Sequence, residues 1–195
     1  MAEDTPEILT ERLRLWMPGP ADAGLMLSYF QDNRDHLGRW SPPTPDDFYT
    51  QAYWERRLEA NRGELAADRS LRLSVSWRDD RLRRVIGTIG LTEISRGPFH
   101  ACNCGYGLDR GHLGRGVMTE TLKAVCDYGF GAMALHRIEA NYMPTNERSG
   151  QVLRRAGFVI DGYARDYLYI NGAWRDHVLT SRTNPHATRL TPYMT

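Results

Sequence analysis

The sequence predicts an α/β fold, a mixed and largely antiparallel sheet with helices on its faces, and three observations carry that expectation. Residues 71–77, 85–94 and 101–108 read as strands, the first by alternation of polar and apolar side chains and the second by its β-branched residues. Asp79-Asp80 and Arg96-Gly97-Pro98 are turn sequences that join neighbours directly, which makes the middle of the chain an antiparallel meander. From 116 to 134 the period changes, and Val117, Met118, Thr121, Leu122, Val125, Cys126 and Met133 recur at the three- and four-residue spacing of an amphipathic helix. A glycine-rich turn, residues 109–116, sits at the junction.

The other elements follow from local signals. Arg12-Leu13-Arg14-Leu15-Trp16 alternates as a first strand, stopped by Pro18 and Pro20. Leu25, Met26, Tyr29 and Phe30 mark one face of a helix, and Trp40-Ser41-Pro42-Pro43 is a loop. Pro45-Asp46-Asp47 is expected to open a second helix with an acidic first turn, with Phe48, Ala52 and Leu58 on its apolar side and Gly63 weakening its end. Beyond the long helix, 137–142 is a strand closed by Pro144-Thr145-Asn146. A short helix over 149–155 follows, with Gly157 where helices commonly end in a left-handed glycine. Residues 158–163, 167–170 and 174–183 are closing strands, the last two joined by the hairpin dipeptide Asn171-Gly172. The expected order is β-α-α-β-β-β-α-β-α-β-β. Without repeat or linker, residues 1–195 are expected to form one domain with an irregular tail over 185–195.

At 195 residues, 41% hydrophobic and 25% charged, the chain can build its own core without disulfides or metal. A formal net charge of +1 offers no general attraction to nucleic acid or to a membrane surface. Cys102, Cys104 and Cys126 are odd in number and contain no C-x-x-C, which argues against a disulfide framework and a cysteine-rich zinc site. No His/Cys/Asp spacing suggests another metal. Charges among the first residues leave no signal-peptide core, and no apolar run approaches the roughly 18 residues of a membrane span. The expected location is cytoplasmic.

The stretch Asp109-Arg110-Gly111-His112-Leu113-Gly114-Arg115-Gly116 carries most of the chemistry. Three glycines let backbone approach a ligand, the helix behind them adds its positive end, and Arg110 and Arg115 add charge. Such a loop suits a pyrophosphate. It lacks the Gly-Lys-Ser/Thr ending of a nucleotide-binding phosphate loop and does not stand in a parallel dinucleotide-binding unit. On local grounds a plain tight turn stays open as the alternative.

Gly114-Arg115-Gly116, followed by Met118-Thr119-Glu120, resembles the pyrophosphate loop of the GNAT acetyltransferases, (Gln/Arg)-x-x-Gly-x-(Gly/Ala), with Gly111 departing from the first position. His136-Arg137-Ile138-Glu139-Ala140-Asn141-Tyr142-Met143-Pro144, Asn146 and Arg148-Ser149-Gly150 resemble the ribosomal-protein-alanine N-acetyltransferases (Rim type) of that superfamily. So do Arg96-Gly97, Phe99 to Cys102, Gly157-Phe158, Gly162-Tyr163-Ala164, Asp166-Tyr167-Leu168 and the segment from Gly172 to Thr180. The likeness is densest over 96–183 and thinner over 1–80. It implies a GNAT fold, in which an antiparallel N-terminal meander splays into a V around acetyl-CoA and about four helices flank the sheet. It implies acetyl-CoA as cosubstrate, and as acceptor a protein N-terminus, most like that of an alanine-starting small-subunit ribosomal protein. Acetyl would pass by direct attack in a ternary complex. A homodimer is compatible with it. A small-molecule amine acetyltransferase and a non-catalytic acyl-CoA-binding regulator are the alternatives.

The resemblance also implies site residues. Tyr106, Gly107 and Leu108 would offer backbone amides to the oxyanion. Gly111, His112, Leu113, Gly114, Arg115, Gly116, Val117 and Met118 would hold the pyrophosphate. Asn146 would contact the pantetheine arm, and Ser149 would lie near the sulfur as proton donor. Capping and first-turn roles are the local alternatives for that pair. Glu93, on the meander, and Asp166 are the carboxylates considered as base, with a surface strand residue and a partner for Arg165 or Arg175 as their plainer readings. Glu120 reads as serving the helix dipole or an internal hydrogen bond, and His100 and His177 as packed residues. Tyr163, Tyr167, Tyr169 and Trp174 either wall an acceptor cleft or pack their hairpin. An α-amine, with pKa near about 7.7–8.0, needs far less help to become neutral than lysine at about 10.4.

Overall fold

The computed structural model describes residues 5–186. Its strands are β1 (Glu7–Leu9), β2 (Leu13–Trp16), β3 (Leu71–Trp77), β4 (Gly87–Ser95), β5 (Ala101–Leu108), β6 (Arg137–Glu139), β7 (Val159–Ile170) and β8 (Ala173–Thr183). Its α-helices are α1 (Ala23–Asp32), α2 (Arg34–Gly38), α3 (Gln51–Ala66), α4 (Val117–Gly131) and α5 (Glu147–Arg155). The strands form one sheet in the order β1-β2-β3-β4-β5-β6-β8-β7. Every neighbouring pair is antiparallel except β5 and β6.

Alternation along the meander sends successive residues to opposite faces. One face carries the rows Leu71–Leu91–Cys104, Leu73–Ile89–Tyr106 and Val75–Gly87–Leu108, and it packs with Val117, Leu122, Val125 and Cys126 of α4 and Leu153 of α5 into the main core. The other face carries Ser74–Thr88–Gly107 and meets α1, where the Ser74 hydroxyl donates to the Met26 sulfur at 3.1 Å. Ala23, Met26, Trp54 and Leu58 of α1 and α3 form a second, smaller cluster. All three cysteines are buried members of the main core or its strands, as small apolar fillers should be.

Where the elements differ from expectation, a local contact explains it. Pro45-Asp46-Asp47 forms turns, with Phe48 N donating to Pro45 O and Thr50 N to Asp47 O, and the Thr50 hydroxyl then accepts from Tyr53 N as the cap. The second helix therefore starts at Gln51. It runs through Gly63 because Glu64, gripped by Arg57 and Ser70, anchors its last turn. The short β1 and α2 were not anticipated; neither has a fully buried residue to set a period. Strands expected at 158–163 and 167–170 are one element, β7, bent by register shifts at Ile160/Gly162 and Ala164/Leu168. Asn171 and Gly172 both have positive φ, the geometry of the tight hairpin their sequence predicts. Of the tail, residues 184–186 leave β8 in a turn, and 187–195 lie outside the described residues.

Candidate active site

Strands β5 and β6 pair only from Ala101↔Arg137 to Asn103↔Glu139. Beyond Glu139 the chain stays with β8, through Ala140 N to Thr180 O and the reciprocal Tyr142–Val178 bonds, while β5 continues to Leu108 beside β4. The sheet splays there, and the gap opens into a cleft of about 1730 Å³. Drug-sized ligands fill about 300–1,000 Å³, so this cleft has room for a large cofactor and a second substrate.

On the β5 side of the gap, hydrogen-bond alternation decides which amides are free. Asp109 N donates to Ile86 O, so 86/109, 88/107, 90/105 and 92/103 are the hydrogen-bonded pairs. The intervening residues Cys104, Tyr106 and Leu108 turn their amides away from β4, into the splay. The amides of Tyr106 and Leu108 are therefore free of β4 and face the gap, whereas the Gly107 amide belongs to the ladder. What Gly107 supplies is space: a Cβ there would lie 3.3 Å from Leu37 and from the Tyr29 hydroxyl.

The glycine-rich turn is built around Asp109. Its carboxylate accepts from Gly111 N at 2.7 Å and from Asn33 Nδ2 at 2.8 Å, with His112 Nδ1 at 3.0 Å. Buried Asn33 closes the loop by accepting from Arg110 N at 3.1 Å. Burial alone would raise the Asp109 carboxyl, but the bonds from Asn33, His112 and Gly111 outweigh it and hold its pKa below the usual range. Gly114 and Gly116 have φ of +76° and +74°, which L side chains rarely adopt. The amides of Leu113, Gly114, Arg115 and Gly116 donate to no atom among the described residues, and the orphan amides of the first turn of α4 follow them. These groups fit a diphosphate. Glu120 serves an internal tie: it accepts from Thr10 Oγ1 at 2.6 Å and from Arg12 N and Nε, while Arg12 Nη1 reaches the Arg115 carbonyl at 3.1 Å. The β1–β2 hairpin thereby braces the loop from outside.

Across the gap, Asn146 caps α5 by accepting from Ser149 N at 3.2 Å. Capping turns the Ser149 side chain inward, with its Oγ 2.8 Å from the Tyr106 hydroxyl. Burial raises the Tyr106 pKa, so that phenol stays protonated at neutral pH. Two hydroxyls in contact, beside unpaired strand amides, can pass a proton without either ionising fully.

A family model for the acetyltransferase (GNAT) domain matches residues 12–159. The chain belongs to the GNAT acetyltransferase family. The acetyltransferase is 36% identical, over 178 residues, to the [ribosomal protein uS5]-alanine N-acetyltransferase of Escherichia coli (strain K12), covering 91% of each chain. Among solved structures it is similar to the ribosomal-protein-S5-alanine acetyltransferase of Vibrio fischeri (38% identity, TM-score 0.87, covering 93% of this chain and 98% of that one). It is also similar to Mycobacterium smegmatis RimJ in complex with CoA-disulfide (26% identity, TM-score 0.84, covering 95% and 89%). It is thus an acetyl-CoA-dependent N-acetyltransferase, with acetyl-CoA its cosubstrate. Among the described residues no helix is long and apolar enough to cross a membrane, and no group of three or more His, Cys, Asp or Glu could hold a metal.

The expected site residues divide. Tyr106, Gly107, Leu108, Leu113, Gly114, Gly116, Val117, Met118, Asn146 and Ser149 line the cleft. Gly111, His112 and Arg115 are not among the lining residues; His112 is held by Asp109 and packed on Trp77, and Arg115 contributes its backbone amide to the loop. Of the three expected catalytic residues, only Ser149 is in the cleft. Glu93 lies outside its lining; at a bulge after Thr92 it has φ of +54° and is exposed, and Asn103 Nδ2 donates to its carboxylate. Asp166 is exposed at the β7 bulge, its amide donating to Asp176 Oδ1 at 2.9 Å. Tyr163, Tyr167, Tyr169 and Trp174 are likewise exposed on the β7–β8 hairpin, which sends only Asn171 and Gly172 to the cleft. The aromatic wall comes instead from Phe30, Trp40, Phe48, Tyr49, Tyr53 and Trp54. The aromatic run Phe48-Tyr49 and Tyr53-Trp54 was visible in the sequence, but its side could not be assigned without the packing of Phe30 on Trp54, centroids 4.7 Å apart.

Proposed function

We propose that the enzyme acetylates the N-terminal α-amine of a protein, an alanine-starting ribosomal protein being the favoured acceptor. The observation that carries this is the scarcity of bases in the cleft. Among its lining residues Glu147, exposed at the start of α5, is the one carboxylate and His36 of α2 the one histidine, and neither is fully buried. Lysine at pKa about 10.4 needs a strong buried base, while an α-amine near 8 loses its proton to water readily. The named activities of the relatives support the same reading.

In this scheme Leu113 to Gly116 and the first turn of α4 hold the diphosphate, and Asn146 orients the pantetheine. The Tyr106 and Leu108 amides stabilise the tetrahedral oxyanion. As the carbon–sulfur bond breaks, Ser149 protonates the leaving thiolate and takes a proton from Tyr106, which recovers one, through water, from the proton that the attacking nitrogen releases. An acyl-cysteine route is disfavoured: burial pushes the Cys102 thiol up to about 12 and Cys126 up to about 11, and none of the three cysteines lines the cleft. Transfer is therefore direct. Polyamines and aminoglycosides fit poorly, because the acceptor side of the cleft is arginine-rich and would repel a polycation.

Mass spectrometry of products from a panel of N-terminal peptides, with N-terminally blocked lysine peptides and free polyamines beside them, tests the reading. Acetyl groups on α-amines are expected; acetyl found on lysine alone, or on free amines alone, overturns it. We also infer that two copies associate along β7. This 12-residue edge strand pairs only with β8 among the described residues and exposes Val159, Ile160 and Tyr163.

A further inference from the structure

We propose that the cleft selects acceptors that carry a carboxylate within a few residues of the reacting amine, and that Arg72, with Arg57, reads it. The proposal rests on the acceptor being a protein N-terminus and narrows which termini are used. Between residues 18 and 74, the stretch that lines the acceptor side, the cleft contains Arg34, Arg39, Arg57 and Arg72 and no Asp or Glu. Arg57 forks onto Glu64 with bonds of 3.0 and 3.1 Å, and Arg72 Nε approaches the same carboxylate at 3.4 Å. Ser70 occupies another of its lone pairs at 2.6 Å. One carboxylate thus answers two guanidiniums, and a positive charge is left over. Burial, then the neighbouring Arg57, pull the Arg72 pKa below its usual value, consistent with a cation short of counter-charge.

Space is provided beside that charge. Arg72 pairs with Gly90 on β4 and Gly90 with Gly105 on β5, so the sheet next to the guanidinium stem is bare backbone over two strands. The Glu93 carboxylate, the nearest along β4, is outside the cleft lining and already bound by Asn103. Nearer the mouth, the Arg34 guanidinium lies 4.6 Å over the Tyr49 ring, and Arg39 has no ion-pair partner among the described residues.

A second, independent observation marks the same wall as a binding surface. Asn61 Oδ1 and Trp54 Nε1 both belong to residues 5% exposed that line the cleft, and neither atom has a hydrogen-bond partner among the described residues. Unpaired buried polar atoms cost free energy, about 1–3 kcal/mol each, unless something completes them. Asn61 Oδ1 accepts and Trp54 Nε1 donates, the complement of one peptide unit. Asn61 is one turn beyond Arg57 on α3.

The test uses alanine-starting peptides of one length, with Glu, Gln or Lys placed in turn at the second, third and fourth positions, and reads kcat/KM in pairwise competition. At the best position Glu should exceed Gln by about tenfold, the worth of one charge-assisted hydrogen bond, and Lys should fall below Gln. Arg72→Gln should bring the Glu-to-Gln ratio toward one, and Arg72→Lys should restore part of it. Higher ionic strength should shrink the ratio in the wild type and not in Arg72→Gln. A ratio between two peptides on one enzyme does not depend on the fraction folded. Equal use of Glu and Gln peptides, or a preference that survives both Arg72→Gln and Arg57→Gln, overturns this inference and leaves the N-terminal reading standing. If no peptide is acetylated while free alanine and free glutamate are, the carboxylate recognised is an α-carboxylate and both readings fall.

Discussion

Tyr106 and Ser149 are separated by 43 residues and joined by one 2.8 Å hydrogen bond, so they should behave as a unit in catalysis. Ser149→Ala is expected to lower kcat by about 10²–10⁴-fold with little change in KM, as a proton donor acting in the transition state requires. Tyr106→Phe should lower it too, and the double variant should be little worse than the poorer single, since the second change removes a relay already broken. Additive losses in steady-state kinetics would separate the two roles. Asn146→Ala should differ in kind: loss of the α5 cap costs about 1 kcal/mol in thermal melts, and the acetyl-CoA KM rises because Ser149 and the pantetheine lose a common guide. Asp109 adds a pH dependence. Its folded pKa lies below the unfolded value of about 3.9, so its contribution is complete above that value and is lost as pH falls through the folded pKa. Asp109→Asn should therefore lower Tm at pH 7, and the gap to wild type should narrow in melts as pH falls below the unfolded value; a gap that stays constant as the medium is acidified counts against the assignment.

At the scale of elements, the loop before α4 and the first turns of α5 are set by glycines for different reasons. Gly116, at φ +74°, caps α4 in a conformation that costs other residues roughly 1–2 kcal/mol, and Gly116→Val should raise the acetyl-CoA KM steeply in a protein that still folds. Isothermal titration with CoA reads this directly. At Gly150 the constraint is contact, because a Cβ would lie 2.7 Å from the Tyr142 ring. Gly150→Ala should cost about 1–3 kcal/mol by overpacking and should depress kcat by shifting neighbouring Ser149. The sequence exposes the first of these, since glycines at a strand–helix junction declare a backbone need. It hides the second, since a glycine in a helix looks merely permissive until the ring across the gap is in place. The same holds for α3: Pro45-Asp46-Asp47 has good helix-start chemistry, and Thr50 wins because its hydroxyl reaches Tyr53 N.

For the whole molecule, the sheet has one long edge, and light scattering should find a dimer that Val159→Lys with Ile160→Lys converts to monomer while acetyl-CoA binding persists. A monomeric wild type at micromolar concentration would dismiss pairing along β7. The placement of β6 between β5 and β8 has a further consequence. Because β5 and β6 share only three residue pairs, few strand bonds join the two halves of the sheet, and the core residues of α4 and α5 packed beneath carry the rest of the junction.

The amino-acid sequence by itself determined the meander, the long α4, the hairpin at Asn171-Gly172 and the glycine-rich turn, because each is encoded in contiguous residues by period, turn chemistry or backbone freedom. It also placed Ser149 in the first turn of a short helix, which begins two residues earlier than the expected 149–155 because Asn146 caps it. Only tertiary structure decided which polar residues share the cleft. Glu93 and Asp166 are plausible acids in their own strands, but each sits at a bulge, Thr92/Ser95 and Ala164/Leu168, and neither lines the cleft. A bulge reverses a side chain's face with the insertion of one residue, and nothing local in alternation announces it. Tyr106 reaches Ser149, and Arg72 shares Glu64 with Arg57, only because strands and helices distant in the chain close on one another. The site is assembled from such meetings, and their register is set by packing across the sheet.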